Sequence, residues 1–169
     1  MLALKDSYWK VRAAACTAVA QIGPAVAEQT LPILARLLRE GNVNRQTVAE
    51  TIIKVGDLGE QCLVQLLKSE PENNHKLREC VIRALALADV NTPNVDFVIE
   101  VLFTSSKDKH AHVRKASLLS LDILHKKATS DGVTYLKPRH LMPFFYRSLA
   151  DKDKEVRQCA LLCIQNFGP

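Results

Sequence analysis

An arginine that opens an apolar stretch five times over constrains this chain more than any other feature. Residues 12–23 read RAAACTAVAQIG, 45–56 RQTVAETIIKVG, 78–89 RECVIRALALAD, 114–125 RKASLLSLDILH and 157–168 RQCALLCIQNFG. The five arginines stand 33, 33, 36 and 43 residues apart. One unit therefore recurs in five registers, and a period of that length signals stacked small units that share a continuous core.

The columns of the repeat agree in chemistry. Two residues after each arginine stand Ala14, Thr47, Cys80, Ala116 and Cys159, all small, and three after stand Ala15, Val48, Val81, Ser117 and Ala160. Seven after come Val19, Ile52, Leu85, Leu121 and Ile164, and ten after come Ile22, Val55, Ala88, Leu124 and Phe167. Positions +3, +7 and +10 follow the helical period and predict one buried face per unit. Small residues near the helix start let a neighbouring helix come close. Gly23, Gly56 and Gly168 stand where a helix ends in a left-handed residue. A second apolar helix precedes each later arginine, over residues 30–38, 59–68, 95–105 and 139–150. Pro24, Pro93 and Pro138 fall near the starts of these helices, where a missing N–H costs little. No stretch alternates with a strand period, so the chain reads as all-α.

Six residues before the arginine stands an acid in four units (Asp6, Glu72, Asp108 and Asp151), and Arg39 in the second. An acid in the turn can accept from helix-start amides and from the arginine of its own or the next unit. Asp6, Arg12, Arg45, Glu72, Arg78, Asp108, Arg114, Asp151 and Arg157 thus form an expected structural ladder that keeps successive units in register.

The string D-x-x-x-x-V-R occurs from Asp6 to Val11-Arg12, from Asp108 to Val113-Arg114 and from Asp151 to Val156-Arg157. It resembles the HEAT repeat, and the 33-residue period is most similar to the short variety named after phycocyanobilin lyases. The second unit departs from the pattern, with Asn44 before Arg45 and no acid. The resemblance implies an all-α solenoid, an armadillo/HEAT-like right-handed superhelix of about five helix-turn-helix repeats, the first incomplete. The expected organisation is one domain over residues 1–169, with repeats near 1–23, 24–56, 57–89, 90–128 and 137–168 and an inter-repeat loop at 126–137. The first helix of the opening unit is almost absent. Leu2 and Leu4 at one end, and Leu161, Ile164 and Phe167 at the other, are not the polar residues of capping units. A piece of a longer array is the expectation.

Hydrophobic residues make up 47% of the chain, yet no uncharged stretch reaches the ~18 apolar residues of a membrane span. No basic-then-apolar leader opens it. The cysteines (16, 62, 80, 159, 163) are odd in number, form no C-x-x-C pair and sit inside apolar helical patterns. Buried free thiols in a reducing, intracellular compartment follow as the expectation, cytoplasmic in preference to nuclear. The net charge of +5 is uneven, with +6 over residues 105–147, which favours an acidic partner.

No constellation for catalysis stands out. HEAT-like iron hydroxylases use His-Glu pairs, and none occurs here; a metal-dependent hydroxylase or lyase is therefore disfavoured. His75, His110, His112, His125 and His140 sit mostly in turns or beside lysine, and Cys159 and Cys163 fall in small core columns. No catalytic residue, cofactor or metal site is expected, and the chain reads as a non-enzymatic protein-binding scaffold.

The turns between paired helices carry the candidate partner residues: Tyr8, Trp9 and Lys10, then Lys107 and Lys109, then Lys152 and Lys154. An exposed Trp flanked by Lys is a typical interface anchor. The layout is similar to that of TOG domains, HEAT arrays whose turns bind tubulin, so a tubulin-binding module is the alternative reading. The middle turns, around Asn42 and His75, do not match that pattern. The single tryptophan argues against the Trp/Asn ladder of armadillo-type import receptors. Few aromatics interleave the basic region, which argues against nucleic acid. The expected partners are another protein of acidic character and further repeats of the parent chain.

Overall fold

The computed structural model describes residues 2–69, 74–92, 94–133 and 138–166. Among them are nine α-helices and no strand: α1 (Trp9–Ile22), α2 (Ala27–Glu40), α3 (Arg45–Lys54), α4 (Asp57–Ser69), α5 (His75–Leu85), α6 (Val95–Ser105), α7 (Ala111–Ser130), α8 (Pro138–Ser148) and α9 (Lys154–Asn166). Short 3-10 turns at Leu2–Lys5 and Gly23–Val26 lead into α1 and α2. The fold is an all-α solenoid of stacked helix pairs. No described helix is long and apolar enough to cross a membrane.

The helices form two compact units, Met1–Asp89 and Val90–Pro169. In the first, the arginine-led helices α1, α3 and α5 pack side by side in that order, while α2 and α4 pack on each other and on α3. In the second, α7 packs on α9, α6 on α7, and α8 chiefly on α9.

The termini of these helices follow from local chemistry. α2 ends at Gly41, whose φ of 70° is left-handed and whose amide binds the Leu37 carbonyl. α3 begins at Asn44, whose side chain accepts from the Gln46 and Thr47 amides. Asp153 does the same for the Glu155 and Val156 amides at the start of α9. Pro138 is the first residue of α8, whereas Pro93 and Gly168 lie outside the described residues. Two further prolines, Pro32 and Pro143, sit inside α2 and α8.

Burial along the arginine-led helices separates into two faces. The +2 and +6 positions turn toward the preceding helix: the Thr51 hydroxyl reaches the Cys16 carbonyl, and the Cys159 and Cys163 thiols reach the Lys115 and Leu118 carbonyls. The +4 positions Cys16, Ala49, Ile82 and Leu118 are fully buried. This corrects the single face expected for the first unit. Ala14 and Ala18 are exposed and Ile22 is 56% exposed, because among the described residues α1 has no preceding arginine-led helix to pack on its leading side. Leu161, the +4 residue of α9, is likewise 49% exposed.

Two further expectations need correction. The helix that opens near Arg114 does not stop for a loop at residue 126; α7 runs to Ser130. Ala128 is fully buried and Lys126 reaches back to Asp122 at 2.7 Å, so the last turns keep both an apolar anchor and an i, i+4 pair. Residues 134–137 of that expected loop lie outside the described residues. Of the cysteines, only Cys16, Cys159 and Cys163 are buried; Cys62 and Cys80 are half-buried.

The closest approach in the first unit is at Gly59, in the first turn of α4. A Cβ there would lie 1.8 Å from the Ile52 carbonyl oxygen and 2.9 Å from its carbon. A methyl group against a helix backbone cannot be relieved by a rotamer change. Gly59→Ala is expected to destabilise the fold by about 3 kcal/mol through overpacking, read as a lowered urea midpoint. Gly132→Ala, where a Cβ meets nothing within 4 Å, is expected to cost only about 1 kcal/mol for its positive φ.

Candidate protein-interaction surface

The described turns that lead into α1, α3, α7 and α9 are each built around an arginine. Arg12 Nη1 donates to the Asp6 and Ser7 carbonyls at 2.7 and 2.8 Å. Arg114 Nη1 donates to the Asp108 and Lys109 carbonyls at 2.8 and 3.1 Å, and Arg157 Nη1 to those of Asp151 and Lys152 at 2.8 and 3.0 Å. In the second unit of the repeat Arg45 uses Nε and Nη2 on the Leu38 and Arg39 carbonyls, at 3.0 and 3.1 Å. The guanidinium thus binds main-chain oxygens five to seven residues upstream in every one of these turns. What it needs at −6 is a carbonyl, and any side chain supplies one. Arg39 therefore stands in the acid column without breaking the clamp.

The acid has other tasks. Asp6, Asp108 and Asp151 each accept from the amide two residues on, at 2.8 Å in all three turns. These bonds satisfy donors at the entry to the following helix. Asp151 also accepts both Nε and Nη2 of Arg114, at 2.7 and 2.6 Å, so the arginine of one repeat grips the turn of the next. Arg12 makes the equivalent reach to the Asn42 carbonyl at 2.7 Å, since the second turn offers no acid. Arg78 is buried in α5, and Glu72 lies outside the described residues.

The Arg114–Asp151 pair is shielded, with side-chain exposures of 7% and 13%. The guanidinium fork, followed by the Asp153 amide and the surrounding positive charge, holds the Asp151 carboxyl below its ordinary range despite partial burial. The same bond raises Arg114. At the surface, the Lys115–Glu155 pair at 2.8 Å lowers the Glu155 carboxyl in the same way.

The partner residues expected from sequence project from these clamped turns. In the first unit Tyr8 and Trp9 are 52% and 54% exposed, and the Lys10 ammonium lies 6.0 and 5.8 Å from their ring centroids, within cation–π range. In the second unit Lys107, Lys109, Lys152 and Lys154 are all exposed on two successive turns.

A cleft in the first unit was not visible in the sequence. It has a volume of about 840 Å³ and runs from the Trp9 ring along the 41–46 turn to Lys76, Glu79 and Arg83 on α5. Its parts come from three different repeats, so no local motif announces it. A smaller hollow of about 270 Å³ in the second unit is lined by Lys107, Phe144, Arg147 and the Arg114–Asp151 pair. Among the described residues no three His, Cys, Asp or Glu side chains gather as a metal site. Burial raises the Cys16, Cys62 and Cys80 thiols. Cys163 is pushed up by its bond to Cys159 and by burial.

Stacked helix pairs whose turns are clamped by a recurring arginine define a helical repeat scaffold. The HEAT repeat family model matches residues 141–169, which hold most of α8 and all of α9. Solved structures with the same fold include an engineered protein, 18% identical, with a TM-score of 0.55 over 98% of this chain and 76% of that one. A designed armadillo repeat protein in complex with the peptide (KR)4 is also 18% identical, with a TM-score of 0.52 over 98% and 79%. Computationally designed armadillo repeat proteins for modular peptide recognition give the same identity, score and coverage. No curated protein matches significantly. These likenesses show the fold, a stack of HEAT/armadillo-like helical repeats.

Asp151→Asn removes the charge that Arg114 faces while keeping the shape of the side chain. It is expected to cost about 2 kcal/mol at pH 7, below the full buried-pair value because both groups retain some solvent contact. The native carboxyl is depressed, so its stabilisation is present above the ordinary aspartate value of ~3.9 and fades as pH falls through the lower folded value. Denaturant titrations of the two proteins should therefore differ by a constant amount above about pH 5 and draw together as pH falls through and below the depressed folded value.

Proposed function

We propose that this chain is a non-enzymatic protein-interaction scaffold whose turns present an aromatic–basic surface to an acidic protein partner. The observation that carries this reading is the contrast within each turn. The backbone is fixed by a guanidinium, while Tyr8, Trp9 and Lys10, and the lysines at 107, 109, 152 and 154, stand exposed. A fixed backbone lowers the ordering cost of binding at these side chains, and an exposed Trp beside a Lys has the chemistry of an interface anchor. The +1 and +5 positions of the arginine-led helices offer a mixed surface instead, from Gln46 and Glu50 to Leu119 and Leu162.

The test is affinity capture from cell extract followed by cross-linking mass spectrometry. The wild type is compared with the Trp9→Ala/Lys109→Glu/Lys154→Glu variant, after circular dichroism shows equal helicity. Proteins captured by the wild type should be lost by the variant, with cross-links mapping to the turns. Tubulin among them would select the microtubule-related form of this reading. Capture of the same proteins by both forms would mean that binding lies elsewhere on the molecule.

A further inference from the structure

We infer that the cleft of the first unit is a binding site for an extended acidic peptide segment, with Trp9 as its apolar wall and Lys76 and Arg83 as its charge-reading groups. The inference rests on the protein-binding reading above and names the class of partner that this one site takes.

The cleft of about 840 Å³ falls within the ~300–1,000 Å³ range of ligand-binding pockets. It is an open groove that crosses the starts of α1 and α3 and runs along α5 from Lys76 to Arg83, and these three helices pack side by side. Neighbouring helix axes lie about 8–10 Å apart, so three of them span about 20 Å. An extended chain rising about 3.3 Å per residue covers that distance in roughly six residues.

The charge of the lining selects the occupant. Arg45, Lys76 and Arg83 face Glu79 alone. Glu79 is engaged by Arg83 at 3.3 Å, and that arginine side chain remains 60% exposed. Lys76 pairs with no carboxylate among the described residues and is exposed. Arg45 from α3 and Arg83 from α5 both line the groove, with Cys80 among the same lining residues. At the other end stands Trp9, with Lys10 stacked behind its ring. Arg45 is held on the Leu38 and Arg39 carbonyls, and its guanidinium lies over Gly41, 2.8 Å from where a Cβ would be. The positive floor is therefore fixed in place by the same clamp that builds the turn. An acidic side chain placed near α5 meets Lys76 and Arg83, and an apolar side chain two to four residues away meets the Trp9 ring. A basic peptide meets a like-charged floor. A single ring offers no run of stacking platforms for a nucleic acid strand.

The site contains its own reporter, because Trp9 is the one tryptophan of the sequence. Its emission is to be titrated with the octapeptides (Asp-Glu)4, (Lys-Arg)4 and (Gly-Ser)4 and with an eight-nucleotide oligothymidylate. The acidic peptide should give a saturable change that the other three do not, and the affinity should fall as salt rises. The Lys76→Glu/Arg83→Glu variant, altered only at exposed positions, should weaken that binding by about tenfold or more. Lys107→Glu/Lys109→Glu in the other unit should leave it unchanged. No saturable response, an equal response to (Lys-Arg)4 or the oligonucleotide, or a loss of binding only with the second variant would each overturn the inference. If turn-dependent capture of proteins persists while the acidic peptide gives no response, the cleft inference fails and the scaffold reading stands. Loss of both removes both.

Discussion

An arginine guanidinium sits at the centre of the described turns that lead into α1, α3, α7 and α9. The final carbonyls of a helix have no intrahelical donor, and the short connection to the next helix adds oxygens that cannot all reach water. The arginine from the following helix answers both needs with a planar fork of donors, while its aliphatic stem stays in the core. Hydrogen bonds to a charged donor stabilise more than neutral ones, by about 1.5–3 kcal/mol each against 0.5–1.5. Removing the arginine would therefore strand several main-chain oxygens at once. The angle between paired helices, the position of the turn and the direction of its side chains all depend on this one group.

Stacking uses the two edges of that unit. The side turned toward the preceding helix carries Thr, Ser, Ala or Cys, and the polar ones return their hydrogen bond to a nearby carbonyl. Thr51, at +6, binds the Thr47 and Cys16 carbonyls. This keeps a small residue at the contact without leaving an unsatisfied hydroxyl in the interior. The arginine fork then spans the step, to a carbonyl at Asn42 in one unit and to a carboxylate at Asp151 in the other. The repeat tolerates either acceptor because both lie in the same part of the turn.

Such a framework confines chemistry to its surface. The clamp and the stacking hydroxyls engage main-chain oxygens, while buried Asp122 Oδ1 has no hydrogen bond among the described residues; the groups on display are those beyond the clamp. These are an aromatic pair with a stacked lysine, rows of lysines, and a cationic groove floored by Arg45. The cleft shows how a repeat gains a specific feature: Trp9, Arg45 and Arg83 occupy three different columns of three different repeats and meet only because the helices stack.

The repeat period, the helix pairs, the small stacking column and the arginine itself were legible in the sequence, because each rests on local spacing and on helical periodicity. Sequence alone also placed the exposed turn residues, since a polar or aromatic side chain between two apolar helices has few places to go. It did not show that the arginine binds carbonyls in preference to the acid beside it, because main-chain oxygens are the same in every residue and leave no mark in a sequence. It did not show which unit would leave its leading face open, or that α7 would continue to Ser130, since both depend on what packs alongside. The cleft between Trp9 and Arg83 belonged to the tertiary structure alone. Residues 74 positions apart in the chain become neighbours only when three helices are laid side by side, and no pattern of nearest neighbours encodes that distance.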